Sequence, residues 1–197
     1  GNGDDPVIMV DPFATTEPVV VISGFTISGG GGSTGGGIAA QTASSLELND
    51  MVFQDNDAGF YGGGLVGPFT ENATTIRNSI FRNNSATLGG GALLFGATIE
   101  DSRFENNIAN DGGGIYGAVG AFTLANTTIS SNAARYAGGG LYLEDATSID
   151  GGLVQANSAG EYCGGVALVF VQLAENLEIS RNTAGINGGG LCTINVD

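Results

Sequence analysis

The chain has 197 residues, of which 36 are glycine and only four proline, with 42% hydrophobic residues. That is too little proline, at the wrong period, for collagen, and too much apolar content for a disordered linker. Twenty acidic residues against five arginines, without lysine or histidine, give a formal net charge of −15. This excludes the basic patches that nucleic acids and anionic membrane surfaces select.

No run approaches the ~20 apolar residues of a membrane-spanning helix, so no membrane insertion is expected. The opening at Gly1, without Met or leader, reads as a mature product or a piece of a longer chain. Residues 1–23 form a lead-in, where Val7 to Val10 and Val19-Val20-Val21-Ile22 read as short apolar strands. From Gly24 onward the chain is repetitive. Gly24-Phe25-Thr26-Ile27-Ser28 is a degenerate first copy, and residues 24–197 form one array.

Glycine triplets then begin at Gly35, Gly62, Gly89, Gly112, Gly138 and Gly188, with Cys163-Gly164-Gly165 holding the sixth place, at intervals of 23 to 27 residues. The other columns follow. An apolar residue recurs at Phe53, Phe81, Phe104, Ile129, Val154 and Ile179. Three residues later comes Asn56, Asn84, Asn107, Asn132, Asn157 and Asn182, and two further on Ala58, Ala86, Ala109, Ala134, Ala159 and Ala184.

Alternating runs such as Thr75-Ile76-Arg77-Asn78 and Thr98-Ile99-Glu100-Asp101, cut by Asn and Gly clusters, predict short strands and turns rather than helices. The predicted fold is all-β: a right-handed parallel β-helix of about seven coils of ~25 residues, each one strand spacing above the last. The stacked asparagines are expected to turn the corner through left-handed backbone and to bond one another along the axis, as a structural ladder. The residue after each triplet (Ile38, Leu65, Ala92, Ile115, Leu141, Val166, Leu191) is expected to point inward.

These residues resemble the repeats of polymorphic outer membrane proteins, found in bacterial autotransporter passengers. The likeness rests on Phe-x-x-Asn at Phe53, Phe81 and Phe104 and on Gly-Gly-Gly-[Ile/Leu/Val] where that family has Gly-Gly-Ala-[Ile/Leu/Val]. It spans residues 24 to 194. It implies a right-handed β-helix of the pectin-lyase-like kind, displayed at a cell surface or secreted, with a part in adhesion or surface structure.

That fold also hosts polysaccharide hydrolases and lyases, so catalysis needs residues of its own. Without histidine there is no His base and no Ser-His pair. Glycosidases require two apposed carboxylates. The nearest candidates, Glu100-Asp101, Glu144-Asp145 and Asp55 with Asp57, read as turn caps or solvated groups. Register places Arg77 beside Glu100 and Arg82 beside Glu105, as cross-strand pairs.

No catalytic, cofactor or metal residues are therefore expected. Calcium would bind only adventitiously, since the nonapeptide of calcium-binding β-rolls is absent. An ice-binding array is poorly supported, with Thr75, Thr98, Thr123 and Ser148 as its only column. Sequons at Asn72, Asn83 and Asn126 occur about as often as chance allows.

Cys163 and Cys192 suggest an oxidising compartment. In extended register they stand four residues apart along the chain direction, about 13 Å, beyond the ~7 Å limit for a bridge. Free thiols or a bond to another chain are expected, unless a curled turn shortens the gap.

The second residue after each triplet is expected to point outward, so Val66, Leu93, Tyr116 and Tyr142 form a candidate lateral interface or sugar-stacking strip. The alternative is that residues 68 to 72 fold over it. Val19, Val20, Val21 and Ile22 at one end, with Leu191, Ile194 and Val196 at the other, are candidate end contacts. Copies docking end to end would form a filament. The expected partners are other copies, a longer surface protein, or cell-surface carbohydrate. The sequence thus reads as a non-catalytic extracellular or cell-surface solenoid, with a polysaccharide-binding or lyase-like protein as the alternative.

Overall fold

A computed structural model describes residues 5–10 and 18–194, and among these every regular element is a strand. The strands stack into parallel sheets that run the length of the solenoid. The first sheet opens with Ile8–Met9 and then takes one strand per coil from the segment after each glycine triplet, from Ile38–Ala39 through to Leu191–Ile194. The second begins with Val19–Ser23 and continues through Ser45–Asn49, Thr74–Arg77, Ala97–Glu100, Ala121–Ala125, Ser148–Asp150 and Ala174–Glu175. The third runs from Thr26–Ser28 to Glu178–Ser180 and carries the Phe/Ile/Val column. A shorter fourth sheet begins at Ile108–Asp111. This is a parallel β-solenoid with about seven turns of ~25 residues. The lead-in strands already occupy first places in their sheets: Ile8 pairs with Ile38, and Val20 with Leu46.

The core is built by stacking like on like. Phe53, Phe81 and Phe104 are fully buried, with rings stacked at 4.4 Å between centroids, and Ile129 and Val154 continue the column. The inward residues after the triplets are likewise buried, except Leu191 in the last described coil, which is exposed.

The Asn column is a continuous internal ladder. From Asn84 onward each side-chain oxygen accepts from both the backbone N–H and the Nδ2 of the asparagine one coil before, and Asn56 Oδ1 accepts the Gly30 N–H. Each Nδ2 also donates to the carbonyl of the apolar residue one coil back, as Asn84 does to Phe53 and Asn132 to Phe104. Amide capacity is thus met inside the protein, which removes the desolvation cost of burying five of these side chains.

One expected role moves to a neighbour. The ladder asparagines do not adopt left-handed backbone. The positive φ falls on the residue just before them (Asp55, Asn83, Asn106, Ser131, Ala156, Arg181), and also on Asp50, Asn78, Asp101, Asn126, Gly151 and Asn176 at the other edge of the third sheet. A side chain that must reach inward to the next coil cannot also sit on the outside of the bend.

The glycine triplet divides its work similarly. Gly112 has φ of +65°, whereas a Cβ at Gly113 would lie 2.4 Å from the Gly139 carbonyl oxygen. The first glycine bends the chain and the second admits the coil above.

Two cross-coil expectations change. Arg77 bonds Glu100 at 2.8 Å and also Glu47 at 3.0 Å. Arg82, although in register with Glu105, turns the other way and donates to Gln54 Oε1. Ser148 lies opposite Ala121 and not Thr123, so the Thr75–Thr98–Thr123 column passes to Asp150. The segment joining the second and third sheets is shorter by about two residues in that coil, which moves the strand out of the simple period.

Candidate functional site: a lateral groove

The positive φ at the first triplet position folds each coil back on itself, so residue i lies beside residue i+4. A Cβ at Gly62 would stand 2.6 Å from Val66 Cγ2, and one at Gly138 2.9 Å from the Tyr142 Cβ. The reversal makes a concave strip along the solenoid. One wall is the column before the triplets, in register from Thr34 through Tyr61, Leu88 and Asp111 to Ala137. The floor is the column of second residues after the triplets: Val66, Leu93, Tyr116, Tyr142, Ala167, Cys192.

This geometry corrects the expectation of an exposed strip. Val66 and Leu93 are buried, at 1% and 6% exposure, and Tyr116 and Tyr142 are half-buried. The 68–72 segment does not lie over them as a lid. Its Phe69, tied by its backbone N–H to the Gln41 carbonyl, is 61% exposed and stands edge-on to Phe95 at 5.0 Å, forming a rim. Tyr61, Val66, Phe69, Leu88, Leu93 and Phe95 enclose a mostly apolar groove of about 420 Å³ that reaches Tyr116.

Farther along the axis the strip turns acidic. Tyr116 and Tyr142 stack at 5.0 Å, and the Tyr116 hydroxyl donates to Glu144. Asp111 accepts the Ala137 backbone N–H at 3.0 Å. Burial, with Glu161 adding repulsion, raises the Asp111 carboxyl above the ordinary carboxylate range despite that bond. Burial, the hydrogen bond to Glu144 and nearby negative charge raise Tyr116, and burial with the charges of Glu144 and Asp111 raises Tyr142.

The strip ends against a small apolar cluster of Ala137, Cys163, Ala167, Tyr142 and Cys192. Here a second expectation is overturned, because Cys163 and Cys192 form a disulfide with Cα atoms 5.3 Å apart. Cys163 has φ of 56°. It therefore curls beside Ala167, which pairs directly with Cys192. The 13 Å gap assumed an extended corner.

The other sequence candidates are dispersed. Asp101 accepts from Asn126, Asp55 from Asn83 and Asp57 from Ser85, each binding the next coil on an outer corner. No group of three or more metal-ligating side chains occurs among the described residues. Of the sequon asparagines, Asn72 accepts the Ala121 N–H at 2.8 Å, while Asn83 and Asn126 donate to the aspartates just named. Val20 and Ile22 pack on the first coil, and Val19 and Val21 are exposed on the same strand. Ile194 closes the last described strand, and Val196 lies outside the described residues.

Sequence reasoning missed Tyr61, Phe69, Leu88, Phe95 and Asp111. The column immediately preceding the triplets was available as a signal, since it keeps register with them.

The model of the Chlamydia polymorphic membrane protein repeat matches residues 78–96 and 101–118. Each match runs from a left-handed corner through the ladder asparagine and triplet to the groove floor. The chain is a parallel β-helix, two of whose coils resemble polymorphic membrane protein repeats. No curated protein and no solved structure matches it. The polymorphic-membrane-protein-like repeats carry Leu88, Leu93, Phe95, Asp111 and Tyr116, while Tyr61, Val66 and Phe69 of the groove lie before the matched segments. Repeats of this type point to the outer membrane or cell surface.

Proposed function

We propose that this protein is a non-catalytic, surface-displayed solenoid with an adhesive role, and that the lateral groove is its recognition face. The observation that carries the reading is that groove, a mostly apolar cavity of about 420 Å³ on a rod held rigid by ladders and stacked rings. Apolar clefts of this size are where ligands bind. The candidate carboxylates Asp55, Asp57 and Asp101 bond neighbouring coils instead of converging, which supports a structural role over hydrolysis or β-elimination.

The test uses beads coated with the chain, applied to cultured cells and to purified extracellular matrix. Adhesion is expected, and Tyr61→Ser with Phe69→Ser, both at exposed positions, is expected to abolish it. Beads that never adhere, or adhere equally with the double variant, would sink the reading. Release of reducing or unsaturated sugars from a polysaccharide panel, lost in Asp55→Asn or Asp101→Asn, would replace it with the enzymatic alternative.

Axial association of copies is a second reading. It is favoured by the Val19–Ser23 strand, which carries exposed valines and pairs on one side only among the described strands. The net charge of −15 opposes it, so association should strengthen as salt screens repulsion. Light scattering that shows only monomer at high protein and high salt would rule it out.

A further inference from the structure

We propose that the groove holds an extended peptide segment of a partner protein, one carrying an aromatic or large apolar side chain followed three residues later by arginine or lysine. This rests on the adhesive reading and names the ligand chemistry.

The groove has two chemically distinct halves in a fixed order. Tyr61, Leu88, Val66, Leu93, Phe69 and Phe95 make an apolar half sized for one or two large side chains. One and two coils farther along the floor, after Leu93, come Tyr116 and Tyr142, with Asp111 and Glu144 beside them. Two strand spacings separate the apolar floor at Leu93 from Tyr142, about 10 Å, which three extended residues span. A peptide laid along the axis would therefore place a side chain in each half.

Charge decides what the second half takes. Asp111 and Glu144 face the tyrosine pair, Glu161 adds to the field at Asp111, and no arginine lines the adjoining apolar half. The chain has no lysine at all. The second oxygen of Asp111 and the Tyr142 hydroxyl have no hydrogen-bond partner among the described residues. A guanidinium or ammonium would supply donors to these acceptors and neutralise like charges held together in a half-buried place. A sugar fits less well. Tyr116 and Tyr142 are stacked on one another, so the faces a pyranose would use are largely covered.

The experiment is a titration of the isotope-labelled chain with acetyl-Phe-Gly-Gly-Arg-amide, read as NMR shifts. Saturable shifts at Leu93, Phe95, Tyr116 and Tyr142 are expected. Replacing the peptide's arginine by neutral citrulline should weaken binding about tenfold, as loss of one charge-assisted interaction does. Asp111→Asn with Glu144→Gln should weaken the arginine peptide by a similar factor while leaving the citrulline peptide unchanged, a control that cancels any general loss of fold.

Equal affinity for the two peptides, shifts confined to other faces, or no response at millimolar peptide would overturn the proposal. The same shifts produced instead by a neutral hexasaccharide would assign the groove to glycans. Adhesion lost in the Tyr61→Ser, Phe69→Ser protein without any peptide response leaves the adhesive reading standing and sinks this one alone.

Discussion

Asn107 donates through Nδ2 to Oδ1 of Asn132 at 2.9 Å, and its backbone N–H reaches the same oxygen at 2.9 Å. A second Nδ2 bond goes back to the Phe81 carbonyl at 3.0 Å, while Asn107 Oδ1 accepts two bonds from Asn84. One side chain therefore ties three successive coils.

Replacing Asn107 by Ala orphans the Asn84 donors and the Phe81 carbonyl inside a closed core, at ~1–3 kcal/mol per buried group. Asn107→Ala is expected to lower the denaturation midpoint strongly, and Asn182→Ala, at a half-exposed position, much less. Asn107→Asp should be worse than Ala, because it sets a buried charge against Asn132 Oδ1. Equal midpoints for all three variants in urea melts would refute a load carried by the ladder.

The stacked Phe column predicts a second loss. Phe81 is sandwiched between Phe53 and Phe104 at 4.4 Å on each side and is fully buried. Phe81→Ala should cost ~3–5 kcal/mol through transfer and cavity terms. Phe81→Leu, which keeps most of the volume, should cost clearly less.

Thr74 predicts a gain. It stands in register with Leu46 and Ala97 in an inward column, and its hydroxyl is buried without a partner. Thr74→Val keeps the shape and removes the unpaired group, so it should stabilise by about 1–2 kcal/mol. An unchanged or lower melting temperature would mean that the hydroxyl is satisfied in solution.

The Cys163–Cys192 bridge closes a loop with a sequence separation of 29. By the chain-entropy argument it stabilises by ~3–4 kcal/mol. Thiol titration of the unfolded, unreduced chain should find no free thiol. Reductant or Cys192→Ser should loosen the last two described coils before the centre, which amide exchange would read.

Asp111 gives a pH signature. Its folded pKa is raised from the ordinary 3.8, first by burial. The native state therefore binds the proton more tightly than the unfolded chain. That stabilising contribution is fully present below 3.8 and is lost as pH rises through the folded value. Asp111→Asn, which keeps an acceptor for the Ala137 N–H, should match the wild type in acid and exceed it in stability near neutrality. A gap that is constant with pH would show that Asp111 is not penalised when ionised.

The coil, its period, the Phe column and the Asn column were legible in the sequence because a solenoid is nearly one-dimensional. Residues one period apart, such as Phe81 and Phe104 or Asn107 and Asn132, become neighbours by register alone. The local sequence could not say how a coil bends between its strands. The backbone reversal at Gly62, Gly138 and Cys163 is a conformational choice that brings residue i beside residue i+4, and it turned a strip read as exposed into a groove floor. The same reversal brought Cys163 to Cys192, and set Asp111 opposite Tyr116 and Tyr142. Those contacts join different columns across a corner, so only the folded coil determines them.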